Sequence, residues 1–555
     1  MAVSILAVGL FYELGCALAS IALFVWLVSF SKRQKLGFRR NAACVAAIAI
    51  YIGYCLSVLW AVDKGLSVWG IAKYLPLPLM ALCLMQTNSD ERSTILKDLP
   101  WIGGFMVLVS FALHYIPSLY TLFTSRDRLS GFFQYPNTFA CFLLLGLEVL
   151  ILSEDKLNVQ KVLCALVLMF GLFQSGSRTV FVLAIPAILI SLIIRLRKKP
   201  KALIIGIASV AAAFAVLLLI FGGSASVSRL FDLSKSDTSL LGRLLYWQDA
   251  LPVIGNHPLG LGYLGYYMSH GSFQNGLYSV RWVHNDFLQL LLDIGWIPAI
   301  IAVVAVVKAV TAKQPTVRKV VLLTLLAHCM MDFDLEYIAM YFIVLLCLDW
   351  DSGKTKSVKL TAPVMAVMAL LLAGSVYIGV GSTLFYAGKL EASVKCYPWN
   401  TQALMELLTK AETADQMDEQ ADRILALNDH IALAWDAKAE VAYSRGDFGA
   451  VIDAKNEALA NIKYTRGEYV DYFNKLAVGY ELYMRAGDTK SAQICMDEII
   501  GIQDRIDKVL ENTSELAWKV TNKPKLVMPD EYTEYVNAHK RIFAGDNAHR
   551  LRRYQ

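Results

Sequence analysis

The chain has 555 residues, of which 56% are hydrophobic and 18% charged, with a mean hydropathy of +0.49. That excludes an ordinary water-soluble globule, because the apolar excess is concentrated before residue 386. The net charge of +6 is not a nucleic-acid footprint: the basic clusters 32–40, 195–201 and 308–319 lie apart and form no patch with interleaved aromatics.

In chain order, apolar runs fall at about 3–29, 41–60, 66–86, 99–118, 137–153, 160–175, 179–196, 202–222, 286–307, 319–333, 336–349 and 361–385. They predict an all-α fold: a polytopic bundle of about twelve transmembrane helices over 1–385, then a soluble helical domain over 386–555. The first run, Val3 to Phe30, is long and followed by positive charge, so it reads as an anchor and not a cleaved leader. Loops on alternate sides carry 21 and 8 Lys plus Arg, although the second set includes the longest loop. The richer set (31–40, 87–98, 154–161, 195–201, 308–319, 350–360) is therefore assigned to the cytoplasm, and the loop 223–285 and the C-terminal domain to the outside.

The loop 223–285 is rich in Arg, Gly and aromatics, too apolar for disorder and too long for a plain connection. It ends in Arg281-Trp282-Val283-His284-Asn285, where the next apolar run begins. The external arginines Arg126, Arg128, Arg178, Arg243 and Arg281 run against the charge bias. Arg178 is pinned near headgroup depth by the very short turn Gln174–Thr179. Guanidinium groups bind phosphate through planar, bidentate, charge-assisted bonds, so a convergent set would neutralise a diphosphate leaving group. His284 is the candidate proton acceptor, since an imidazole titrates near neutrality. His328 and Asp332 are spaced i,i+4; either Asp332 orients His284 or the pair satisfies itself between helices.

Other patterns carry less. Gly260-Leu-Gly262-Tyr-Leu-Gly265 matches a dinucleotide fingerprint but lacks the strand–helix context that gives it meaning, so its glycines read as turns and close backbone approaches. Eight of ten cysteines precede residue 350 and lie mostly within apolar runs, with no metal-ligand spacing; pairing of Cys396 with Cys495 is left open. No metal and no cofactor is expected.

The C-terminal domain carries two helix-turn-helix patterns turning at Gly446-Asp447 and Gly487-Asp488. They resemble tetratricopeptide repeats, which stack helix pairs into a concave surface able to recruit an acceptor or protein partner. An ordinary helical bundle is the plainer alternative.

The upstream segments resemble the O-antigen ligase/polymerase superfamily, bacterial membrane glycosyltransferases that use polyprenyl-diphosphate-linked glycans. The resemblance rests on four segments. His284-Asn285, nine residues and Gly295 match the family's histidine motif, with Pro298 replacing its last glycine. The others are Asn256-His257-Pro258-Leu259-Gly260-Leu261-Gly262, Arg128-Leu-Ser-Gly131-Phe132-Phe133 with Pro136-Asn137, and Ser177-Arg178.

The resemblance implies a multi-pass cell-membrane enzyme acting without metal. His284 would deprotonate an acceptor hydroxyl, which attacks the anomeric carbon with inversion and expels the polyprenyl diphosphate. Arg178, Arg243 and Arg281 would hold that diphosphate, with Arg128, Asn285, His328 and Asp332 also lining the donor site. Implied partners are the lipid-linked glycan donor, a saccharide, lipid or protein acceptor, and membrane lipids. A ligase and a polymerase would share this donor site. A non-catalytic transporter or export scaffold is the rival class, and it would place ionisable residues along a mid-membrane path.

Overall fold

Prolines, glycines and capping side chains decide where the apolar runs begin and break. The computed structural model describes residues 1–153, 158–223, 236–520 and 526–539, the side chains of 236–238 apart. Among these, strands are confined to two short antiparallel ribbons, and the rest of the regular structure is helical. Six helices are long and apolar enough to cross a membrane: Glu13–Arg33, Lys64–Leu84, Ser89–Leu113, Arg178–Leu196, Pro200–Phe221 and Ala362–Tyr386. Five further apolar helices are shorter: Ala42–Ser57, Pro136–Leu152, Val159–Ser175, Trp296–Thr311 and Ile338–Cys347.

Several expected runs are interrupted. The run at 3–29 breaks around Gly9, which has φ 61° and where a Cβ would lie 2.6 Å from the Phe133 ring. The run at 286–307 breaks at Gly295, between helices Asp286–Ile294 and Trp296–Thr311. The helix expected over 319–333 stops at Cys329. The next is only the ten residues Ile338–Cys347, all buried. At about 1.5 Å per residue such a helix cannot cross a bilayer, so it is packed among its neighbours. The stretch 223–285, expected to lack regular structure, carries the helices Ser236–Asn256 and Gly265–Phe273.

The chain forms two compact units. One comprises Met1–Arg243, Ala250–Gly265 and Trp282–Pro398; the other comprises Leu244–Asp249, Tyr266–Arg281 and Trp399–Gln555. In the first unit, strand Leu36–Arg39 pairs with Thr355–Val358, and Asp351 accepts from both Arg92 (2.6 Å) and Arg39 (3.4 Å). Lys73, Glu336 and Asp293 are buried inside this unit with polar partners, as burial demands. Lys73 Nζ meets Glu336 (2.8 Å) and the Tyr263 hydroxyl (3.0 Å), while Tyr54 donates to Asp293 (3.0 Å).

In the second unit, Gly446 (φ 72°) and Gly487 (φ 77°) end helices. The adjacent Asp447 and Asp488 cap the next ones by accepting from Ala450 N and Ser491 N. The resulting hairpins are Ala432–Ser444 with Phe448–Asn461, and Arg466–Ala486 with Thr489–Glu511. Buried Lys455 is held by Asp436, Glu468 and Asp471.

Candidate active site

The helix after His284 has its length fixed at both ends. Asn285 Oδ1 accepts from Phe287 N (3.0 Å) and Leu288 N (3.2 Å), which starts the nine-residue helix Asp286–Ile294. Gly295 ends it with φ 78° and ψ −172°, a conformation open essentially to glycine alone. A Cβ there would lie 2.4 Å from Pro258 O. The segment 258–262 packs directly on this break: Leu261 N and Gly262 N donate to Leu292 O (2.6 Å) and Asp293 O (3.0 Å), and Trp296 N donates to Pro258 O (3.0 Å). Gly260 (φ 84°) is as constrained, since its Cβ would lie 2.7 Å from the Asp293 carbonyl. Gly260 and Gly262 are therefore close-approach residues that brace the helix behind His284, while Gly265 approaches Leu261.

His284 itself has φ 54°, the left-handed region that a non-glycine residue enters at a cost. Its Nδ1 faces Asp332 Oδ1 at 3.2 Å, and its ring lies edge-on to Phe333 with centroids 5.1 Å apart. Asp332 is fully buried. It accepts from Tyr135 Oη (2.9 Å), Asn137 Nδ2 (2.7 Å) and its neighbour Phe333 N (3.1 Å), with Arg243 Nη2 at 3.4 Å. A carboxylate ringed by donors is held ionised, and an ionised Asp332 keeps the imidazole proton on Nδ1. The basic nitrogen is then Nε2.

Arg243 is also braced by Ser239 (3.1 Å), and its buried Nε has no hydrogen-bond partner among the described residues. A guanidinium N–H left in that state suits an anionic ligand.

The remaining expected residues fall into different places. Arg128 donates to Ser175 O and to Asn137 Oδ1 (both 2.6 Å), tying the short turn before Arg178 to the amide that holds Asp332. Arg178 opens the helix Arg178–Leu196. Asn285 serves as the helix cap. His328 is buried and turns to Asp334, not Asp332; with the helix ended at Cys329, the expected i,i+4 geometry does not form. Asp332 lies instead beside His284. Arg281 belongs to the second unit, its guanidinium 5.9 Å from the Tyr267 ring centroid.

The sequence does not mark Tyr135 as a site residue and shows Asn137 only within the motif that follows Arg128; nor does it mark the role of the segment between Cys329 and Ile338. Its alternate carboxylates reach three different sets of partners. Asp332 meets the His284 group, Asp334 meets His328 and the Thr138 hydroxyl (2.7 Å), and Glu336 meets Lys73 and Tyr74 (3.1 Å). A lysine in the middle of the apolar run 66–86 was the available signal for the last of these. Two buried triads, Cys141–His328–Asp334 and Asp286–Cys329–Asp334, have donor atoms within 4.8 Å of one another and could hold a metal ion. Their donors already serve local bonds: Asp334 takes His328 and Thr138, and Asp286 takes Leu335 N (3.0 Å).

A family model described as O-antigen ligase matches residues 163–303. The match spans Arg178, Arg243, the 256–262 segment, Arg281, His284 and Gly295, while Arg128, His328 and Asp332 lie outside it. It supports the O-antigen ligase superfamily, and with the six apolar helices it marks a multi-pass membrane protein. Neither the curated proteins nor the solved structures contain a match to this chain.

Proposed function

We propose that this chain transfers a glycan from a polyprenyl-diphosphate carrier to an acceptor hydroxyl at the outer face of the membrane, in the manner of an O-antigen ligase. The observation that carries the reading is His284 at φ 54°, facing a buried Asp332 that four further donors surround. Such an arrangement fixes tautomer and ring orientation, as a general base requires.

In this reading His284 Nε2 takes the acceptor proton as the hydroxyl oxygen bonds to the anomeric carbon. The bond from that carbon to the diphosphate oxygen breaks, and the electron pair leaves with the lipid diphosphate. Arg243, with its buried Nε–H, and Arg178 offset the charge that develops there. Arg281 lies three residues before His284, so at most about 11 Å of extended chain separates them. A polymerase would use the same donor site with a second lipid-linked glycan as acceptor.

The deciding experiment supplies purified protein with a polyprenyl-diphosphate glycan and candidate acceptors, and identifies products by mass. His284→Ala is expected to lower transfer by roughly 10²- to 10⁴-fold while the protein stays folded. Transfer at the wild-type rate in that variant would remove His284 from the mechanism.

A further inference from the structure

The second unit contains more than the C-terminal helices: Leu244–Asp249 and Tyr266–Arg281 are part of it. The way these segments are held is specific. Asp249 is buried, and its carboxylate accepts from Asn275 N (2.9 Å), Asn275 Nδ2 (3.0 Å) and the Tyr278 hydroxyl (2.8 Å). That closes 244–249 onto 266–281 with three bonds to one charged group.

The C-terminal helices then grip the closed segment at two turns. At the first, Lys463 Nζ donates to Ser272 O (3.1 Å), and Gly271 is so close to the chain that a Cβ would lie 2.0 Å from Asn461 O. At the second, Ser514 N donates to Asn275 O (3.2 Å), and a Cβ on Gly276 would lie 2.5 Å from Ala517 Cβ. The two turns are about 50 residues apart in sequence and are joined by Tyr464 Oη and Thr513 Oγ1 at 2.9 Å. The glycines sit where any side chain would push loop and helices apart.

We propose that the C-terminal helical unit is a clamp on the Tyr266–Arg281 segment, and that Asn461–Lys463 and Ser514–Ala517 act as positioning residues for Arg281. The clamp holds the backbone up to Arg281, and only Trp282 and Val283 separate Arg281 from His284. Within the second unit, the C-terminal helices then set the backbone that carries Arg281 and are not only an appended recruitment module. The step from segment to diphosphate binding rests on the function proposed above; the clamp itself does not.

The test uses the full chain with two variants. Gly271→Val inserts side-chain atoms against the Asn461 carbonyl, and Lys463→Gln deletes the charged donor to Ser272 O. Hydrogen exchange of amides in 266–281 is expected to accelerate in both, on the order of tenfold for Lys463→Gln, with helix Arg466–Ala486 still protected. Unchanged exchange in that segment overturns the clamp. Where Gly271→Val also exposes Arg466–Ala486, Lys463→Gln alone decides.

Transfer from the lipid-linked glycan separates positioning from general destabilisation. Each variant is expected to raise KM for the donor, and to add little to the loss caused by Arg281→Ala, because it acts through that residue. Losses that multiply with Arg281→Ala overturn the positioning role. If the wild-type chain transfers no glycan at all, the proposed function fails, and the exchange data still judge the clamp.

Discussion

Asp332 is the residue on which the geometry of the site converges. Five donors surround its two oxygens: Tyr135, Asn137, Arg243, Phe333 N and His284. Replacing it with asparagine keeps the size but turns one acceptor into a donor that faces other donors. Asp332→Asn is therefore expected to lower kcat by about 10²-fold or more with little change in donor KM, and to leave the protein folded. A rise in KM at unchanged kcat would show that Asp332 serves binding and not the imidazole. His284, Asp332 and Arg243 were legible because ionisable residues stand out against apolar sequence. Tyr135 was not, since an uncharged phenol beside an apolar run resembles an ordinary interfacial residue, and Asn137 was visible only as part of the motif after Arg128.

At the scale of elements, the sequence located the apolar runs but not their breaks. Hydropathy averaged over a window cannot see Gly295, whose requirement for φ 78° and close approach to Pro258 depends on a segment over 30 residues upstream. Nor could it see that helix 316–329 stops short, because the carboxylates that follow find partners on other helices. The glycine–aspartate turns of the C-terminal helices were legible for the opposite reason: cap and turn are both local. That region also carries a pH signature. Burial, despite the attraction of Lys455, raises the Asp436 carboxyl to about 6. A carboxyl whose folded value exceeds its unfolded value of about 3.9 binds more protons folded, so its contribution is present at low pH and lost as pH rises through about 6. Asp436→Asn should flatten the decline in protection of helix Ala432–Ser444 between about pH 4 and 6, measured by hydrogen exchange after correction for intrinsic rates. An unchanged profile would place that decline in another group.

For the whole molecule, contacts within the first unit join loops that the charge count assigns to the same side. The ribbon joins 31–40 to 350–360, Arg92 reaches Asp351, and Arg318 reaches Ser89, so four loops of the richer set meet one another. Elsewhere in the first unit, Arg128 meets Ser175 and His284 meets Asp332, each contact falling at the end of an apolar run. Hydrogen bonds do not reach across a bilayer about 30 Å thick, so the four loops of the richer set are expected on one face. Which face is cytoplasmic rests on the Lys and Arg bias, and that can be tested directly. Ser118, at the end of the apolar run 99–118, and Ser357 are both exposed, and the charge count assigns them to opposite sides. In intact cells a membrane-impermeant maleimide is expected to label Ser118→Cys at once, and Ser357→Cys only after permeabilisation. The reverse pattern would turn the protein over, placing His284 on the cytoplasmic face, where a donor displayed outside could not reach it.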